Sequence, residues 1–288
     1  MKNIKKYLPY ILILTIFVAC VFVWYFAVFK ESNQKYLKVV FLDVGQGDAI
    51  YIEAPNGKQL LIDGGPDATL LSALSEVMPF ADRSIDMVIT THPDMDHIGG
   101  LPILIDNYNI KNIIENGVTV DTQIFTSLEE RISKNKINKI IAQRGMHIIL
   151  DDKRNIYLDI LFPDRDISKL ESNEASVVGK LVYGESSFLF VGDASLYTEN
   201  LIEWNEKDET LDSDVLLLGH HGSRTSSSTL WLEKVSPEVA VISAGKDNRY
   251  GHPHKELLDR LLFLKIPYLG TYEKGNIIFK TDGVKLEY

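Results

Sequence analysis

Six of the seven histidines in this chain of 288 residues fall into three short groups. The groups are T-H-P-D-M-D-H, G-H-H-G-S and G-H-P-H, and a further aspartate follows a glycine between the first two. Imidazole nitrogens and carboxylate oxygens are the atoms with which proteins bind zinc, manganese and iron. The pattern therefore predicts a divalent metal centre. Its predicted ligands are His92, Asp94, Asp96, His97, Asp193, His220, His221 and His252.

A metal ion at these residues would support hydrolysis, because it lowers the pKa of bound water toward neutrality and yields hydroxide as the nucleophile. Asp193 has two carboxylate oxygens and could bridge two ions about 3.5–4 Å apart. Asp94 or Asp96 is expected to orient the hydroxide, and His221 or His252 to donate to the developing oxyanion or leaving group. Asp96, Asp94 and His221 are therefore the predicted catalytic residues.

Other residues of the same types have simpler interpretations. His254 is as consistent with opening the helix that follows it as with binding metal. His147 lies in an apolar, strand-like segment, M-H-I-I-L, and is predicted to be structural. Asp43, Asp48 and Asp63 are predicted to brace turns and metal ligands rather than to bind metal.

The elements that must position these residues are predicted as alternating strands and helices. Apolar alternation indicates strands, and apolar residues at helical spacing indicate helices. The predicted strands cover 38–44, 49–54, 59–62, 85–90, 156–162, 176–183, 187–191, 215–218 and 239–243. The predicted helices cover 70–77, 98–108, 126–136, 196–204 and 255–264. Because residues of metal-binding type recur at strand ends in both halves, we predict two sheets between helix layers, with the site along one shared edge.

Residues 7–29 contain no charged side chain, and at about 1.5 Å per residue they would span the roughly 30 Å hydrocarbon core of a bilayer. We predict a cytoplasmic N-terminus over 1–6, a transmembrane anchor over 7–29, a linker over 30–37 and one domain over 38–288. Lys2, Lys5 and Lys6 favour an N-terminus inside the cell and an extracytoplasmic domain on a single-pass membrane protein. A cleaved signal peptide and a lipoprotein signal ending at Cys20 are the alternatives.

The composition limits both the metal and the substrate. The only cysteine is Cys20, so the predicted domain has no thiolate and must hold its ion with nitrogen and oxygen. A net charge of −10 and a pI near 5.2 argue against a protein that wraps long nucleic acids without specificity. The stretch 215–260 differs, since its six basic and five acidic residues give it a charge of +1.

Residues beside the histidine groups are predicted to bind the substrate. Arg224 and Arg249 could hold a phosphate, because a guanidinium donates to phosphate oxygens through a planar fork. Ser223 and the hydroxyl side chains of 225–228 are predicted to be exposed donors. Asn173 is predicted to position substrate or to fix a neighbouring loop.

The segment His92-Pro-Asp94-Met-Asp96-His97 resembles the H-x-H-x-D-H signature of the metallo-β-lactamase fold, with an aspartate in place of the second histidine. Other segments resemble, in the same order, the metallo-β-lactamase-like domain of ComEC-type competence proteins and their free-standing relatives. They are L-D-V-G-Q-G-D (42–48), L-I-D-G-G (61–65), N-E-A-S (173–176), V-G-D-A (191–194), H-H-G-S (220–223) and G-H-P (251–253). The resemblance covers about 39–264 and implies a four-layer αββα sandwich with a metal site at the sheet edge. In the competence proteins this domain is thought to degrade one strand of incoming DNA.

The departure from the general signature bears on the metal. In the wider fold, the first two histidines and a third from a later loop hold one metal, while the aspartate-histidine pair holds the other. Here Asp94 offers oxygen at the second-histidine position, and no histidine precedes Ser176, where the third is expected. The resemblance therefore implies one or two divalent ions, zinc or manganese, with manganese favoured by the additional oxygen ligand.

Three functional hypotheses follow. The first is a membrane-anchored, outward-facing phosphodiesterase or nuclease that acts on a phosphodiester such as DNA. The second is a hydrolase of another ester, either a cell-wall phosphodiester of the phosphorylcholine type or a small acyl substrate. The third is a non-catalytic scaffold that retains the fold. One membrane span cannot form a DNA channel, so a role in DNA uptake would require a separate channel protein as partner.

Overall fold

In a computed structural model, the chain folds into two β-sheets that pack face to face, with helices on their outer faces. The structure describes residues 2–33, 35–79 and 81–288. Met1 of the predicted N-terminus and Gln34 of the predicted linker lie outside the described residues, as does Phe80.

The described strands are given first, in chain order. They are β1 (Leu37–Phe41), β2 (Ile50–Glu53), β3 (Gln59–Ile62), β4 (Ser84–Ile89), β5 (Asn109–Glu115), β6 (Asn138–Ile141), β7 (His147–Asp151), β8 (Ile156–Phe162), β9 (Val178–Tyr183), β10 (Ser186–Phe190), β11 (Val215–Leu217), β12 (Val239–Ile242), β13 (Tyr268–Gly270), β14 (Ile277–Thr281) and β15 (Leu286–Glu287). The first sheet has the order β15-β14-β1-β2-β3-β4-β5-β6, and the second has the order β13-β12-β11-β10-β9-β8-β7. Strands β3 to β6 run parallel, as do β10 to β13.

The described α-helices connect these strands. They are α1 (Lys2–Asn33), α2 (Thr69–Val77), α3 (Met95–Ile98), α4 (Leu101–Asn107), α5 (Gln123–Lys134), α6 (Leu196–Asn205), α7 (Asp208–Leu211), α8 (Thr229–Val235), α9 (Lys255–Leu264) and α10 (Thr271–Lys274). Short 3-10 turns cover Asp152–Arg154, Asn173–Ala175 and Gly219–Gly222.

Three groups of buried side chains hold the layers together. Between the sheets, the rings of Phe41 and Phe279 meet edge to face with centroids 5.7 Å apart. Side chains of α2, α4 and α5 cover the outer face of the first sheet. Trp231 of α8 and side chains of α6 and α9 cover the second sheet. The predicted arrangement of two sheets with helices on their outer faces is therefore confirmed.

Helix α1 precedes the first sheet, and its side chains from 9 to 24 are exposed. Within the described part of the chain, no helix is both long enough and apolar enough to cross a membrane. The anchor proposed for residues 7–29 is therefore not confirmed and stays a prediction.

Most predicted elements are found, and the structure corrects one of them. The single helix predicted over 98–108 is wrong, because α3 and α4 are separated by Gly99 and Gly100. A Cβ at Gly99 would lie 2.0 Å from the carbonyl oxygen of Pro66, and one at Gly100 would lie 2.3 Å from that of Gly64. Glycine at both positions allows the backbone between the two short helices to pack this closely against the loop of 64–67.

Candidate metal centre

The carboxyl ends of parallel strands from both sheets meet at one edge, where α/β proteins commonly bind ligands. In the first sheet, β3 leads into Asp63, and β4 leads into the loop that begins with His92. In the second sheet, β10 leads into Asp193, and β11 leads into His220 and His221. Residues that are far apart in sequence are thus brought to one place by strand order.

One oxygen of Asp193 faces two imidazole rings. Asp193 Oδ1 lies 3.2 Å from His97 Nε2 and 3.6 Å from His221 Nε2. His221 Nε2 is also 3.3 Å from Asp96 Oδ2. Three of these side chains are buried, and Asp96 reaches the edge of the site.

The other oxygen of Asp193 faces a second pair of rings. Asp193 Oδ2 lies 3.8 Å from His92 Nε2 and 3.7 Å from His220 Nε2. Asp94 Oδ2 is 3.8 Å from the same nitrogen of His92. The two carboxylate oxygens of Asp193 therefore each have their own set of nitrogen and oxygen neighbours.

Hydrogen bonds fix which ring nitrogen points into this space. His97 Nδ1 donates to Asp63 Oδ2 at 2.7 Å, and His221 Nδ1 donates to the carbonyl oxygen of Ser243 at 3.1 Å. Thr91 Oγ1 donates to Asp63 and accepts from Nδ1 of His92 at 3.0 Å. With Nδ1 protonated in each ring, the lone pair sits on Nε2, as a metal ligand requires.

The buried atoms around Asp193 fit a metal ion. Several of them have no hydrogen-bond partner among the described residues, although buried polar atoms are normally paired. These atoms are Asp48 Oδ1 and Oδ2, His92 Nε2, His97 Nε2, Asp193 Oδ1 and His221 Nε2. Asp48, His97, Asp193 and His221 also offer ligand atoms that all lie within 4.8 Å of one another. Unpaired nitrogen and oxygen lone pairs converging on one point are what a divalent cation would satisfy.

The charges of the centre are strongly coupled. Burial disfavours the charged form of His97, but attraction by Asp193 and Asp63 outweighs it and raises the pKa of His97 well above its usual value. Burial likewise opposes charge on His221, and Asp193 and Asp48 raise the pKa of that ring. Burial also works against ionisation of Asp193, yet His221 and His97 hold its pKa well below the usual range. The site therefore concentrates negative charge that protons compensate when no cation is bound.

Other rings of the group stay neutral. Burial, followed by repulsion from His97, lowers the pKa of His92 to about 3. Burial, followed by repulsion from His221 and His220, lowers the pKa of His252 to about 4. Both rings are thus free of a competing proton near neutral pH, which favours metal binding.

The sequence matches the family model described as "Metallo-beta-lactamase superfamily" over residues 42–246. The chain belongs to the metallo-beta-lactamase superfamily. This is a superfamily of metal-dependent hydrolases, and its fold agrees with the two sheets and flanking helices described above. The matched segment includes the predicted ligands from His92 to His221.

Relatives within the superfamily confirm the resemblance to ComEC-type competence proteins. ComE operon protein 3 of Bacillus subtilis is 29% identical over 265 residues, which are 84% of this chain and 33% of that protein. Recombination protein 2 of Haemophilus influenzae is 29% identical over 259 residues, which are 86% of this chain and 29% of that protein. The chain thus spans about a third of the length of these relatives. The metallo-beta-lactamase fold protein YhfI from Bacillus subtilis superposes with a TM-score of 0.56 at 14% identity, covering 86% of this chain and all of that chain, and it supports the fold alone.

His220 lies on the same side of Asp193 as His92 and Asp94. No histidine precedes Ser176, but His220 reaches Asp193 Oδ2 on the side of His92 and Asp94. This is possible because His220 and His221 both adopt left-handed backbone conformations, with φ of 51° and 55°. Non-glycine residues pay for such conformations with strain, which is common at functional sites. The turn lets two adjacent rings reach opposite oxygens of Asp193.

Asp48 was predicted to brace the site, and its contact with Nδ1 of His221, the protonated ring nitrogen, agrees with that role. Asp48 also offers an oxygen to the group that could hold a metal, which the sequence did not indicate. Its Oδ1 lies 3.2 Å from His221 Nδ1, and the residue is 1% exposed. The signal available in the sequence was its position one residue after Gly47, in a loop that follows an apolar strand.

The predicted substrate-binding residues lie in different surroundings. Asn173 Nδ2 is 3.3 Å from Nδ1 of His220, at the edge of the centre. Arg249 is exposed and donates to the hydroxyl of Tyr250 at 2.6 Å. Arg224 is exposed and lies 3.5 Å from a carboxylate oxygen of Glu256. Of these three, Asn173 and Arg249 are the ones whose surroundings connect them with the centre, since Asn173 contacts His220 and Arg249 lies over the ring of Tyr250, which stacks on His252.

The prediction of exposed hydroxyl groups after the adjacent histidines is wrong in part. Ser223, Ser226 and Ser227 are buried, with 3%, 0% and 1% of their surface exposed. Ser223 Oγ is 2.9 Å from Thr225 Oγ1, and Ser227 Oγ accepts a hydrogen bond from the backbone N–H of Gly219. Ser223 and Ser227 stabilise the loop that carries the histidines, because their hydroxyls bond to its backbone and to Thr225.

The remaining histidines separate clearly. The ring of His252 packs edge to face against that of His220, with centroids 5.5 Å apart, and its buried Nδ1 has no partner among the described residues. His254 occupies the position before α9, and its Nδ1 accepts from the backbone N–H of Arg224. His147 is on β7 and pairs with Asp159 on β8. His252 thus lies with the candidate ligands, while His254 and His147 make local contacts.

Removal of the charge behind His97 is expected to weaken metal binding. Asp63→Asn should lower metal affinity about 10–100-fold, because the carboxylate that orients His97 and strengthens its basicity is lost. Asparagine suits the left-handed backbone at this position, where φ is 57°, so the fold should survive. Competition with a fluorescent chelator measures the affinity. Asp43→Asn, in a loop carboxylate that accepts from Gly45, is the control, and equal affinities for the two variants would contradict the assignment.

Glu199 on α6 holds the loop that follows the adjacent histidines. Its buried carboxylate accepts hydrogen bonds from the backbone N–H groups of Ser227 and Ser228. Arg260 donates to the carbonyl oxygens of Ser226 and Ser227 in the same loop. Burial raises the pKa of Glu199 to about 7, because the two N–H donors only partly replace its hydration. The loop is thus fixed by the carboxylate of Glu199 from α6 and the guanidinium of Arg260 from α9.

This carboxyl group should make stability depend on pH. Since its pKa is about 7 when folded and near the usual 4.5 when unfolded, the folded state binds the extra proton between these values, and stability falls as pH rises through this window. The loss is roughly 3 kcal/mol. Glu199→Gln mimics the protonated group and should remove this loss, as urea unfolding at pH 5 and pH 8 with chelator would measure. Parallel pH dependences for wild type and variant would contradict it, and Glu209→Gln, at an exposed position, is the control.

Proposed function

We propose that this chain is a metal-dependent phosphodiesterase that cleaves nucleic acid. The observation that carries the proposal is the convergence of unpaired, buried nitrogen and oxygen atoms on the two oxygens of Asp193. His97, His221 and Asp96 would hold one ion beside Oδ1. His92, His220 and Asp94 would hold a second ion beside Oδ2. Both sets mix imidazole and carboxylate, which suits zinc or manganese.

When bound, the ions would supply an activated water and neutralise charge on a phosphoryl group. The chain's own residues would do the rest. Burial opposes ionisation of Asp96, but His221 and His97 together outweigh it and lower the pKa of Asp96 to about 2, so Asp96 stays ionised and can accept a hydrogen bond from the attacking water. His252 has an unpaired, buried Nδ1 beside His220 and, because its pKa is lowered to about 4, stays neutral and is placed to serve as a further ligand.

Two further observations favour a phosphodiester over another ester. Arg249 is exposed, has no carboxylate ion-pair partner among the described residues, and lies over the ring of Tyr250, which stacks on His252. A guanidinium beside a metal centre is suited to phosphate oxygens. In addition, two of the relatives carry names that refer to recombination and competence, Recombination protein 2 and Competence protein ComA of Neisseria gonorrhoeae.

Replacing Arg249 tests the phosphate contact. Arg249→Ala should weaken binding of single-stranded DNA similarly for every sequence and reduce the slope of log affinity against log salt by about one. Fluorescence anisotropy at several salt concentrations measures both. Arg165→Ala, an exposed arginine paired with Asp164, is the control. An unchanged salt slope in Arg249→Ala would contradict the contact.

The hydrolytic proposal is tested by metal content and substrate choice. Full-length protein in detergent should contain one or two equivalents of transition metal and should hydrolyse bis-p-nitrophenyl phosphate. Preference for single-stranded over duplex DNA and over a choline-phosphate ester would support a nuclease. Preference for the choline ester or an acyl ester would favour the other hydrolase hypothesis, and a metal-free protein without activity would favour a scaffold.

We also propose that residues 7–29 anchor the domain, residues 38–288, on the outer side of the cell membrane. The uncharged run of 7–29 and the lysines of 1–6 support this topology. A separate channel protein would then be needed for any role in DNA uptake. Protease added to intact cells should remove the domain and leave an N-terminal fragment in the membrane fraction. A domain that resists the protease until the cells are lysed would overturn the topology.

A further inference from the structure

A groove of about 820 Å³ opens directly beside the metal centre. Its wall includes Asp94 and Asp96, so a ligand in the groove would be adjacent to a phosphate held at the centre. The remainder of the wall is partly apolar, with Met95, Ile124 and Tyr250 among its residues. Its volume falls within the range of about 300–1,000 Å³ that is usual for small-molecule sites.

Tyr250 is held in place at the mouth of this groove. Its ring stacks on His252 with centroids 5.7 Å apart and an angle of 20° between the planes. Asn248 accepts hydrogen bonds from the backbone N–H groups of Tyr250 and His252, and donates to the carbonyl oxygens of Gly245 and His252. One side chain thus folds the loop that carries both the candidate ligand His252 and the aromatic ring of Tyr250.

The exposed part of this wall is suited to a planar, uncharged group. Tyr250 and Met95 are exposed to 47% and 53%, although both border the carboxylates of the site. Aromatic rings and thioethers pack favourably against flat aromatic groups. Polar side chains of Gln123, Thr122 and Ser172 line the same groove and could form hydrogen bonds with the edge of such a group.

Charge beside the ring argues against a cationic head group. A choline ammonium would also bind an aromatic face. However, the guanidinium of Arg249 lies 4.8 Å from the centroid of Tyr250 and would repel a second cation there. The same guanidinium is compatible with a neutral base and with the phosphate that precedes or follows it.

We propose that the groove between Tyr250 and Met95 is a nucleobase subsite, in which Tyr250 stacks on the base next to the phosphate at the metal centre. The inference rests on the proposed phosphodiesterase function and adds that the chain contacts a base of the substrate as well as its phosphate. Because stacking requires an unpaired base, the subsite selects single strands over duplexes.

Binding to a fluorescent hexathymidylate and to an abasic hexamer of the same sugar-phosphate backbone tests the subsite. In metal-loaded, full-length protein, Tyr250→Ala should weaken hexathymidylate binding about tenfold more than it weakens binding of the abasic hexamer, which retains the phosphates that Arg249 contacts. Tyr250→Phe, which keeps the ring but loses the hydroxyl that contacts Arg249, should bind both like wild type. Metal content of each variant is measured alongside, so that a disturbed His252 is recognised.

Equal loss of affinity for both hexamers in Tyr250→Ala would overturn the subsite, because Tyr250 would then act without contacting a base. No loss for either would overturn it as well. Since binding is measured separately from hydrolysis, the two proposals can fail independently. A protein that cleaves no phosphodiester, but binds hexathymidylate in a manner dependent on both the base and Tyr250, would refute the proposed function and keep the subsite.

Discussion

Asp193→Asn is expected to remove bound metal and to reduce hydrolysis of bis-p-nitrophenyl phosphate by at least about a hundredfold. Losing a residue that only orients a metal ligand costs about 10–100-fold, and losing a ligand itself should cost at least as much. Asp193 is the one carboxylate whose two oxygens face both sets of histidines, at 3.2 Å from His97 and 3.8 Å from His92. Asparagine keeps the shape but lacks the charge, and its amide NH₂ would point at one of the ion positions.

The measurement for Asp193→Asn is metal content by mass spectrometry, together with the melting temperature with and without added metal. Added metal should raise the melting temperature of wild type and leave that of the variant unchanged, because a ligand stabilises only the fold that binds it. Asp212→Asn, an exposed aspartate away from the centre, should behave like wild type. A variant at Asp193 that retained metal and activity would show that neither ion depends on a bridge.

The strands that deliver the ligands could be predicted from the sequence, because their apolar runs end directly before the polar residues. The strand Ile156–Phe162 and the helix Lys255–Leu264 match the predicted bounds. Strands β4 and β10 are shifted by one residue at both ends, and β11 is one residue shorter than predicted. Strands β5, β6, β13, β14 and β15 were not predicted, and β7 was noted only as a strand-like context for His147. β6 is a sheet edge with mostly exposed side chains, and β14 pairs with β1 across more than two hundred residues, so neither leaves a strong local pattern.

The residues of the site could be predicted from the sequence, but which histidine faces which oxygen of Asp193 could not. The types and order of His92, Asp96 and His221 indicate a metal, since few other functions require them together. That His220 would reach the far oxygen of Asp193 depends on a left-handed turn, which ordinary residues rarely adopt and which spacing does not reveal. The role of Asp48 depends on its contact with His221, which lies about 170 residues later in the chain.

Gly47→Ala is expected to destabilise the metal-free protein by about 3 kcal/mol and to abolish metal binding, because overpacking and a strained backbone act together. A Cβ at Gly47 would lie 2.1 Å from the carbonyl oxygen of Asp96, and φ at this glycine is 137°. The backbone N–H of Asp48 donates to that same carbonyl at 3.2 Å. A methyl group would therefore push the loop of Asp96 away from Asp48 and His221, and urea unfolding with chelator, followed by metal titration, measures both effects.

Gly45→Ala separates the clash from the backbone cost. Gly45 lies in the same loop with φ of 79°, but a Cβ there would meet nothing within 4 Å. Alanine at this position should cost only the conformational term, about 1 kcal/mol, and should leave metal binding intact. If the two variants lost stability and metal equally, the close approach of Gly47 to Asp96 would not be what holds the carboxylate of Asp96 in the centre. A larger loss of stability in Gly47→Ala, accompanied by loss of metal, would show that the contact between Gly47 and Asp96 holds their two loops together.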